Sequence, residues 1–493
     1  MSSTKRVIII GAGAGGLAAA MDLTSAGLAV TLIEQGDAVG GKMRQIQVDG
    51  KGIDAGPTVF TMRWIFEALF ERSRADLASE LSLKPATRLA RHSWQDGSQL
   101  DLWADIDRSK DAIGAFSDLE NATGYERFCA DSRDVFETLK ETFIAAQKPN
   151  PLSLGRRVGL NRIGALWRTR PFQTYNARLE SYFSDPRLRQ LFGRYATYVG
   201  SSPYLTPATL MLIAHVEQDG VWLVDGGMRA VAHAMADIAQ RNGATIRLGE
   251  RVKSIDIDRG KVRGVVLQTG EDLPADAIVF NGDASALGQG LLGANLTSAA
   301  PVTKASKRSS SALTWCTHAK VQGFDLDYHT VFFSDAYARE FDQVFKQRTV
   351  PTAPTVYICA QDRGGPIAPG ERERLLILVN APADGDQRPL PEETEDQYRH
   401  RVWEYLDSFG LKLERDAPIA PTGPSGFHTL FPGTGGALYG RANHGPFATF
   451  ERAGAATSIK GLFLAGGSTH PGAGVPMATM SGRLAAEALL ANR

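Results

Sequence analysis

The stretch Arg6-Val7-Ile8-Ile9-Ile10-Gly11-Ala12-Gly13-Ala14-Gly15-Gly16 leaves this chain few ways to fold. Val7 to Ile10 is an apolar, β-branched run, the kind that a parallel strand buried on both faces requires. Gly11 turns the chain sharply, Gly13 lets backbone amides approach a diphosphate, and Gly16 lets the following helix pack close to the strand. That helix is expected over residues 17–26, closed by Gly27, and a second strand over residues 29–33 delivers Glu34 at its carboxyl end. A carboxylate there accepts hydrogen bonds from a ribose while the helix N-terminus holds the diphosphate. A glycine-rich turn alone is common. With the strand before it, the helix after it and the acid at this distance, it indicates a dinucleotide site.

With 493 residues the chain is expected to hold more than one domain. A formal net charge of zero argues against a general nucleic-acid binder. Cys129, Cys316 and Cys359 are widely spaced without a Cys-x-x-Cys pair, which argues against a disulfide framework or zinc site and fits a reducing compartment. The glycines near the start suit a strand-turn-helix rather than the apolar helix of a signal peptide. No window has the uninterrupted apolar length of a membrane-spanning helix, so a soluble or surface-bound protein is expected.

After Glu34 and Gln35 come Gly40-Gly41-Lys42 and then Asp54-Ala55-Gly56-Pro57-Thr58. Where a nicotinamide-binding fold usually starts its next helix, this chain has a Gly-Gly loop with basic residues. It reads either as a surface turn or as a second loop lying over a larger cofactor. From about 65 to 220, helical periodicity dominates, with scattered short strands such as 100–103. No acid lies between Glu141 and Glu180, an interval holding Lys148, Arg156, Arg157, Arg162, Arg168, Arg170 and Arg178 among Leu160, Ile163, Leu166 and Trp167. The segment reads equally as a solvated helix-loop or as an interfacial membrane contact.

Regular α/β alternation returns near residue 220. A helix is expected with Val231, Met235 and Ile238 on one face, then strands over 245–248, 252–258, 262–268 and 277–280, with a tight hairpin turn at Asp258-Arg259-Gly260-Lys261 between the second and third. This block is expected to rejoin the N-terminal sheet. Runs at 313–321, 330–333, 355–360 and 375–380 suggest an antiparallel sheet packed against the earlier helices, and 392–409 suggests a helix. Near the C-terminus, Leu462-Phe463-Leu464-Ala465 runs into Gly466-Gly467-Ser468-Thr469-His470-Pro471-Gly472-Ala473-Gly474-Val475-Pro476 and a helix from about 477 to 490. Such a turn lets backbone approach a flat ring, and the helix N-terminus holds partial negative charge on it.

Together these pieces resemble the flavoprotein family of phytoene desaturases and amine oxidases, and over essentially the full length its bacterial carotenoid desaturase branch. Within that branch, the lead Val216-Glu217-Gln218-Asp219-Gly220-Val221-Trp222 into Asp225-Gly226-Gly227-Met228 is most similar to hydroxyneurosporene (1-hydroxycarotenoid 3,4-) desaturases. Asp225 replaces the usual proline before Gly-Gly, which leaves the substrate subclass open. The resemblance implies an α/β fold: a Rossmann-like FAD-binding domain from residues 1–65, 220–290 and 425–493, with a discontinuous α+β substrate domain from 66–219 and 291–424. It implies FAD contacts from Gly11, Gly13, Ala14, Gly16, Glu34, Gln35, Gly41, Lys42, Gly56, Pro57, Thr58, Val252, Gly466, Gly467, Gly474, Val475 and Met477.

The implied reaction removes a hydride and a proton from neighbouring carbons of a long apolar carotenoid, with quinone or oxygen as the final electron acceptor. A cytoplasmic enzyme with peripheral membrane contact follows, with no nucleic-acid partner and no metal. His470 and Asp225 are the candidates for proton chemistry, each with a structural alternative: a histidine bonded to backbone in a crowded turn, and an acid ending a strand. Phytoene desaturase, carotenoid isomerase and another oxidase of this fold are the rival activities. A prenyl-protein chaperone of the same fold has lost flavin binding, and the full glycine fingerprint, Glu34 and the intact C-terminal glycine run argue against it. No cysteine lies beyond Cys359 to attach flavin covalently near the C-terminus, as monoamine oxidases do.

Overall fold

A computed structural model describes residues 5–159, 163–364 and 370–492. Its first sheet is parallel and five-stranded, in the order Thr245–Arg247, Ala29–Ile33, Arg6–Ile10, Ala277–Phe280 and Leu462–Leu464. Alternate residues serve opposite faces, as the two-residue period of a strand requires. Val7, Ile9, Val30, Leu32, Ala277 and Val279 pack on the helices Ala14–Ser25, Met228–Arg241 and Val475–Ala491. Ile8, Ile33, Ile278 and Phe280 face the other way.

That second face corrects an expectation. The strands Val252–Asp258 and Lys261–Leu267 do not join the parallel sheet; with Asp272–Pro274 they form a separate antiparallel sheet lying across it. Each buries mainly one face, Val252 and Ile255 on one strand and Val262, Val265 and Leu267 on the other. A strand with one wet face suits an antiparallel layer rather than a doubly covered one.

The larger sheet has eight strands, running from Lys412–Leu413 through Ser311–Gln322, which Ile419–Thr422 also pairs, to Arg372–Ala381, Val356–Ala360 and His329–Phe332. It then continues into Arg88–Ser93 and Gln99–Trp103, from the stretch read as helical, with Arg88–Ser93 parallel to His329–Phe332. One face (Trp315, Ile358, Ile377) packs on Tyr398, Val402 and Trp403 of the helix Glu392–Ser408, so the sheet's own segment covers it rather than the earlier helices. The opposite parity, Thr314, Leu376, Leu378 and Tyr357, lines a cavity. Cys129, Cys316 and Cys359 are buried and free. No described helix is long and apolar enough to cross a membrane.

Candidate active site

The two glycine-rich turns, more than four hundred residues apart in the chain, meet at Asn281. This residue follows the strand Ala277–Phe280, and its Nδ2 donates to the Gly11 carbonyl at 3.0 Å. A Cβ on Gly13 would stand 3.1 Å from that same nitrogen, and one on Gly466 3.0 Å from Asn281 Oδ1. Gly466 N–H in turn donates to Ser481 Oγ at 2.7 Å. Helices Ala14–Ser25 and Val475–Ala491 pack so closely that a Cβ on Gly482 would strike the Gly15 carbonyl. Both helices therefore start at one cavity, lined by Gly13, Ala14 and Gly15 at one N-terminus and Gly474, Val475 and Met477 at the other. Two converging helix N-termini hold anionic or electron-rich groups.

Glu34 closes the polar end. Its Oε2 accepts from the Ala12 N–H at 2.7 Å and its Oε1 from the Gly36 N–H at 2.8 Å, so the carboxylate is fixed before any ligand arrives. Gln35 and Val252 line the cavity beside it. The Gly40-Gly41 loop lies on the first turn: Gly40 N–H donates to Ala12 O at 2.8 Å, and a Cβ on Gly41 would meet Gly13 Cα at 3.2 Å. Lys42 is enclosed, its Nζ donating to the Leu438 carbonyl, and burial holds its pKa below the usual lysine range against the opposing pull of Asp283.

Two motifs that read separately in the sequence are one joint in space. Asp54 Oδ2 accepts the Met228 N–H at 2.7 Å, capping the helix Met228–Arg241, and Gly227 has no room for a Cβ against that carboxylate. Gly56, Pro57 and Thr58 thereby reach the cavity, where Thr58 Oγ1 lies 2.8 Å from Tyr357 Oη. Of the seventeen residues expected to touch FAD, all but Gly16 line this cavity; Gly16 is buried behind it.

His470 and Asp225 are not brought together, and neither lines the cavity. His470 is buried, its Nε2–H donating to Ala146 O at 2.8 Å with the ring edge-on to Phe143, and burial pushes its pKa down to about 4. Asp225 is exposed, and its backbone N–H donates to Ser82 O at 3.0 Å. Local reading missed several other residues. Asn281 directly follows the strand expected over 277–280 and was not singled out, and Arg452, which binds three carbonyls of the glycine-rich loops, carries no local signal. Arg194 and Glu217, cavity-lining and charged, sit in segments with ordinary helical patterning.

The cavity holds about 1130 Å³, just beyond the ~300–1,000 Å³ usual for one small ligand. Past the glycine loops its walls turn apolar, with Leu139, Ile144, Leu210, Ile213 and Val216. Among its lining residues are Phe172 (64% exposed) and Phe447 (52%), whose rings lie 6.1 Å apart, with Trp167 (64%) beside Phe172. Within the basic segment, Arg156, Arg157, Arg168 and Arg170 are exposed, Arg178 pairs with Asp131, and Leu154 and Val158 face the core. Leu160 and Arg162 lie outside the described residues.

A family model described as flavin containing amine oxidoreductase matches residues 14–490. The hydroxyneurosporene desaturase of Rubrivivax gelatinosus is 47% identical over 492 residues, 99% of this chain and 94% of that protein. The enzyme of the same name from Rhodobacter capsulatus is 43% identical over 502 residues, covering 100% and 99%. Among solved structures, a cofactor-site redesign of putrescine oxidase superposes with a TM-score of 0.61 at 14% identity, over 99% of each chain.

Proposed function

The chain belongs to the flavin containing amine oxidoreductases as an FAD-dependent carotenoid desaturase, and from that footing we propose that it introduces the 3,4 double bond into a 1-hydroxy- or 1-methoxycarotenoid. The observation that carries this reading is the single cavity joining a dinucleotide cradle to a long apolar lobe. FAD, when bound, would supply a two-electron acceptor for the hydride, and the proton lost from the neighbouring carbon would end with those electrons on the reduced final acceptor. The chain's part is to bind, orient and dry. The amides of the two helix N-termini hold the diphosphate and the ring edge, Glu34 takes the adenosine ribose, and Lys42 adds a positive charge shielded from water. The apolar lobe excludes water and aligns the polyene, which offers nothing but carbon and hydrogen along its length. We read segments 1–65, 220–290 and 425–493 as the flavin domain and the remainder as the substrate domain, with quinone or oxygen as final acceptor.

Expression in a host that accumulates a 1-hydroxycarotenoid tests the reaction. The pigment should lose two hydrogens and absorb at longer wavelength. A product with an unchanged hydrogen count would make the chain an isomerase, and a purified protein without flavin absorbance would end the reading. Glu34→Ala should weaken FAD binding by about 1–3 kcal/mol, because the ribose hydroxyls and the Ala12 and Gly36 amides lose a charged acceptor together. Titration of the apoprotein with FAD measures it, and unchanged affinity would remove Glu34 from the site.

We assign the exposed rim to membrane docking. Trp167, Phe172 and Phe447 enter the interfacial layer of a bilayer, with Arg156, Arg157, Arg168 and Arg170 beside them on the polar side. Each arginine close to an anionic surface contributes up to about 1 kcal/mol. Changing Arg156, Arg168 and Arg170 to Glu should release the protein from anionic vesicles at low salt and slow turnover of membrane-held carotenoid at normal FAD content. Undiminished vesicle binding would move the contact elsewhere.

A further inference from the structure

The apolar lobe contains a polar island that the reaction as described does not use. Arg194 lies at its centre and lines the cavity. Its Nη1 donates to Tyr198 Oη at 3.1 Å, and its guanidinium stands over the rings of Tyr198 and Tyr357, 5.1 and 5.4 Å from their centroids. Its side chain makes no other hydrogen bond among the described residues, so most of a five-donor group is uncommitted. Glu217, which balances the charge, is already taken by the hydroxyls of Tyr195 and Tyr198.

Two further groups line the same cavity with a polar atom unused, His329 joined to Arg194 through Tyr357, whose ring lies under the guanidinium and whose hydroxyl meets His329. His329 is 5% exposed and Tyr337 8%, and both line the cavity. His329 Nδ1 is 2.7 Å from Tyr357 Oη, while its Nε2 has no partner among the described residues; the same holds for Tyr337 Oη. Burial and the Arg194 charge together push the His329 pKa down to about 3, so the ring is neutral and one nitrogen is a bare acceptor. The same charge acts on Tyr337, against the upward push of burial. Buried polar atoms are seldom left unpaired, and those of an apolar tunnel that stay unpaired call for a ligand with matching atoms.

We infer that Arg194, His329 and Tyr337 form the pocket that binds the oxygen of the carotenoid's end group and selects an alcohol over a hydrocarbon end. The inference rests on the proposed substrate class. A tertiary alcohol matches the set: its lone pairs accept from Arg194 and Tyr337, and, in the tautomer whose Nδ1–H donates to Tyr357 Oη, the bare His329 Nε2 accepts its O–H. A methyl ether keeps only the first half. The location also fits the regiochemistry. In a 3,4-desaturation the oxygen-bearing carbon is two bonds from the reacting carbon, so its binding pocket must adjoin the flavin loops. Tyr357 makes that junction, since its hydroxyl bonds both His329 and Thr58, the residue after Gly56-Pro57.

The test uses FAD-loaded enzyme with a 1-hydroxycarotenoid and the hydrocarbon of the same chain length. Substrate binding is read from flavin fluorescence and turnover from product absorbance. Tyr337→Phe, His329→Leu and Arg194→Met should each raise Kd and KM for the alcohol about tenfold or more, as expected when one hydrogen bond to a substrate hydroxyl is lost. Hydrocarbon Kd and FAD content should not change. Tyr337→Phe decides the matter if the other variants fold poorly, because it removes a hydroxyl that no described group bonds, and its melting temperature should hold. If wild type turns over the alcohol while Tyr337→Phe keeps full preference for it, this assignment falls and the desaturase reading stands. If wild type does not turn over the alcohol, the substrate reading falls and takes the pocket with it.

Discussion

Alanine in place of Gly16 should give a colourless, poorly folding protein. A Cβ there would lie far inside contact distance of the Gly11 carbonyl oxygen and 3.0 Å from Asn281 Nδ2. The obstructing atom is backbone at the end of the central strand, so no side chain can turn aside. Relief requires the helix Ala14–Ser25 to lift away from the sheet, and that helix is also clamped against Val475–Ala491 through Gly15 and Gly482. Overpacking of a well-filled interior costs about 1–3 kcal/mol where neighbours can move, and more where they cannot. The variant should lose most of its stability margin, together with the diphosphate site that the same helix forms. The ratio of flavin to protein absorbance after purification, with a thermal melt, measures both; a yellow variant with the wild-type melt would refute the packing argument.

Replacing Arg452 by Met should destabilise the protein by about 3–5 kcal/mol, the range for removing the donor of several buried acceptors. Arg452 is 2% exposed, and its Nη1 donates to Gly467 O at 2.9 Å and its Nη2 to Arg441 O at 2.7 Å, with both reaching Tyr439 O at 3.2 Å. Methionine fills similar space and supplies no donor, which leaves three carbonyls stranded in the loops that carry Gly466, Gly467 and Tyr439. Burial lowers the Arg452 pKa only to about 10, so the guanidinium stays charged at neutral pH. Lysine should not rescue it, since a point ammonium cannot span the fork of contacts that a planar guanidinium makes. Denaturant unfolding of the holoprotein with flavin release as second signal provides the measurement. A loss below about 1 kcal/mol would mean that solvent replaces these bonds.

Features set within a few residues were legible before any tertiary structure was in view. The strands Ala29–Ile33, Val252–Asp258 and Ala277–Phe280 follow from apolar periodicity, and the turn at Gly11 from a backbone that only glycine adopts cheaply at φ +99°. Glu34 followed from strand length, because the acid sits where the strand ends. Periodicity states that a face is buried and not against what. For that reason the hairpin of Val252–Asp258 and Lys261–Leu267 formed as expected but lies across the parallel sheet instead of joining it, and Arg88–Ser93 was hidden in helical surroundings until His329–Phe332 paired with it.

Relations between distant segments belonged to the tertiary structure alone. Asp54 as the cap of Met228–Arg241, Asn281 as the pin between the two glycine turns, and the four-bond grip of Arg452 each join residues that no local pattern connects. The same holds for Arg194, His329 and Tyr337, drawn from two helical segments and a strand to the lining of one cavity. Backbone sterics and side-chain period act over a few residues and can be read from their order. Hydrogen-bond satisfaction and charge compensation act over a few ångströms of space, and only the folded chain decides which residues share it.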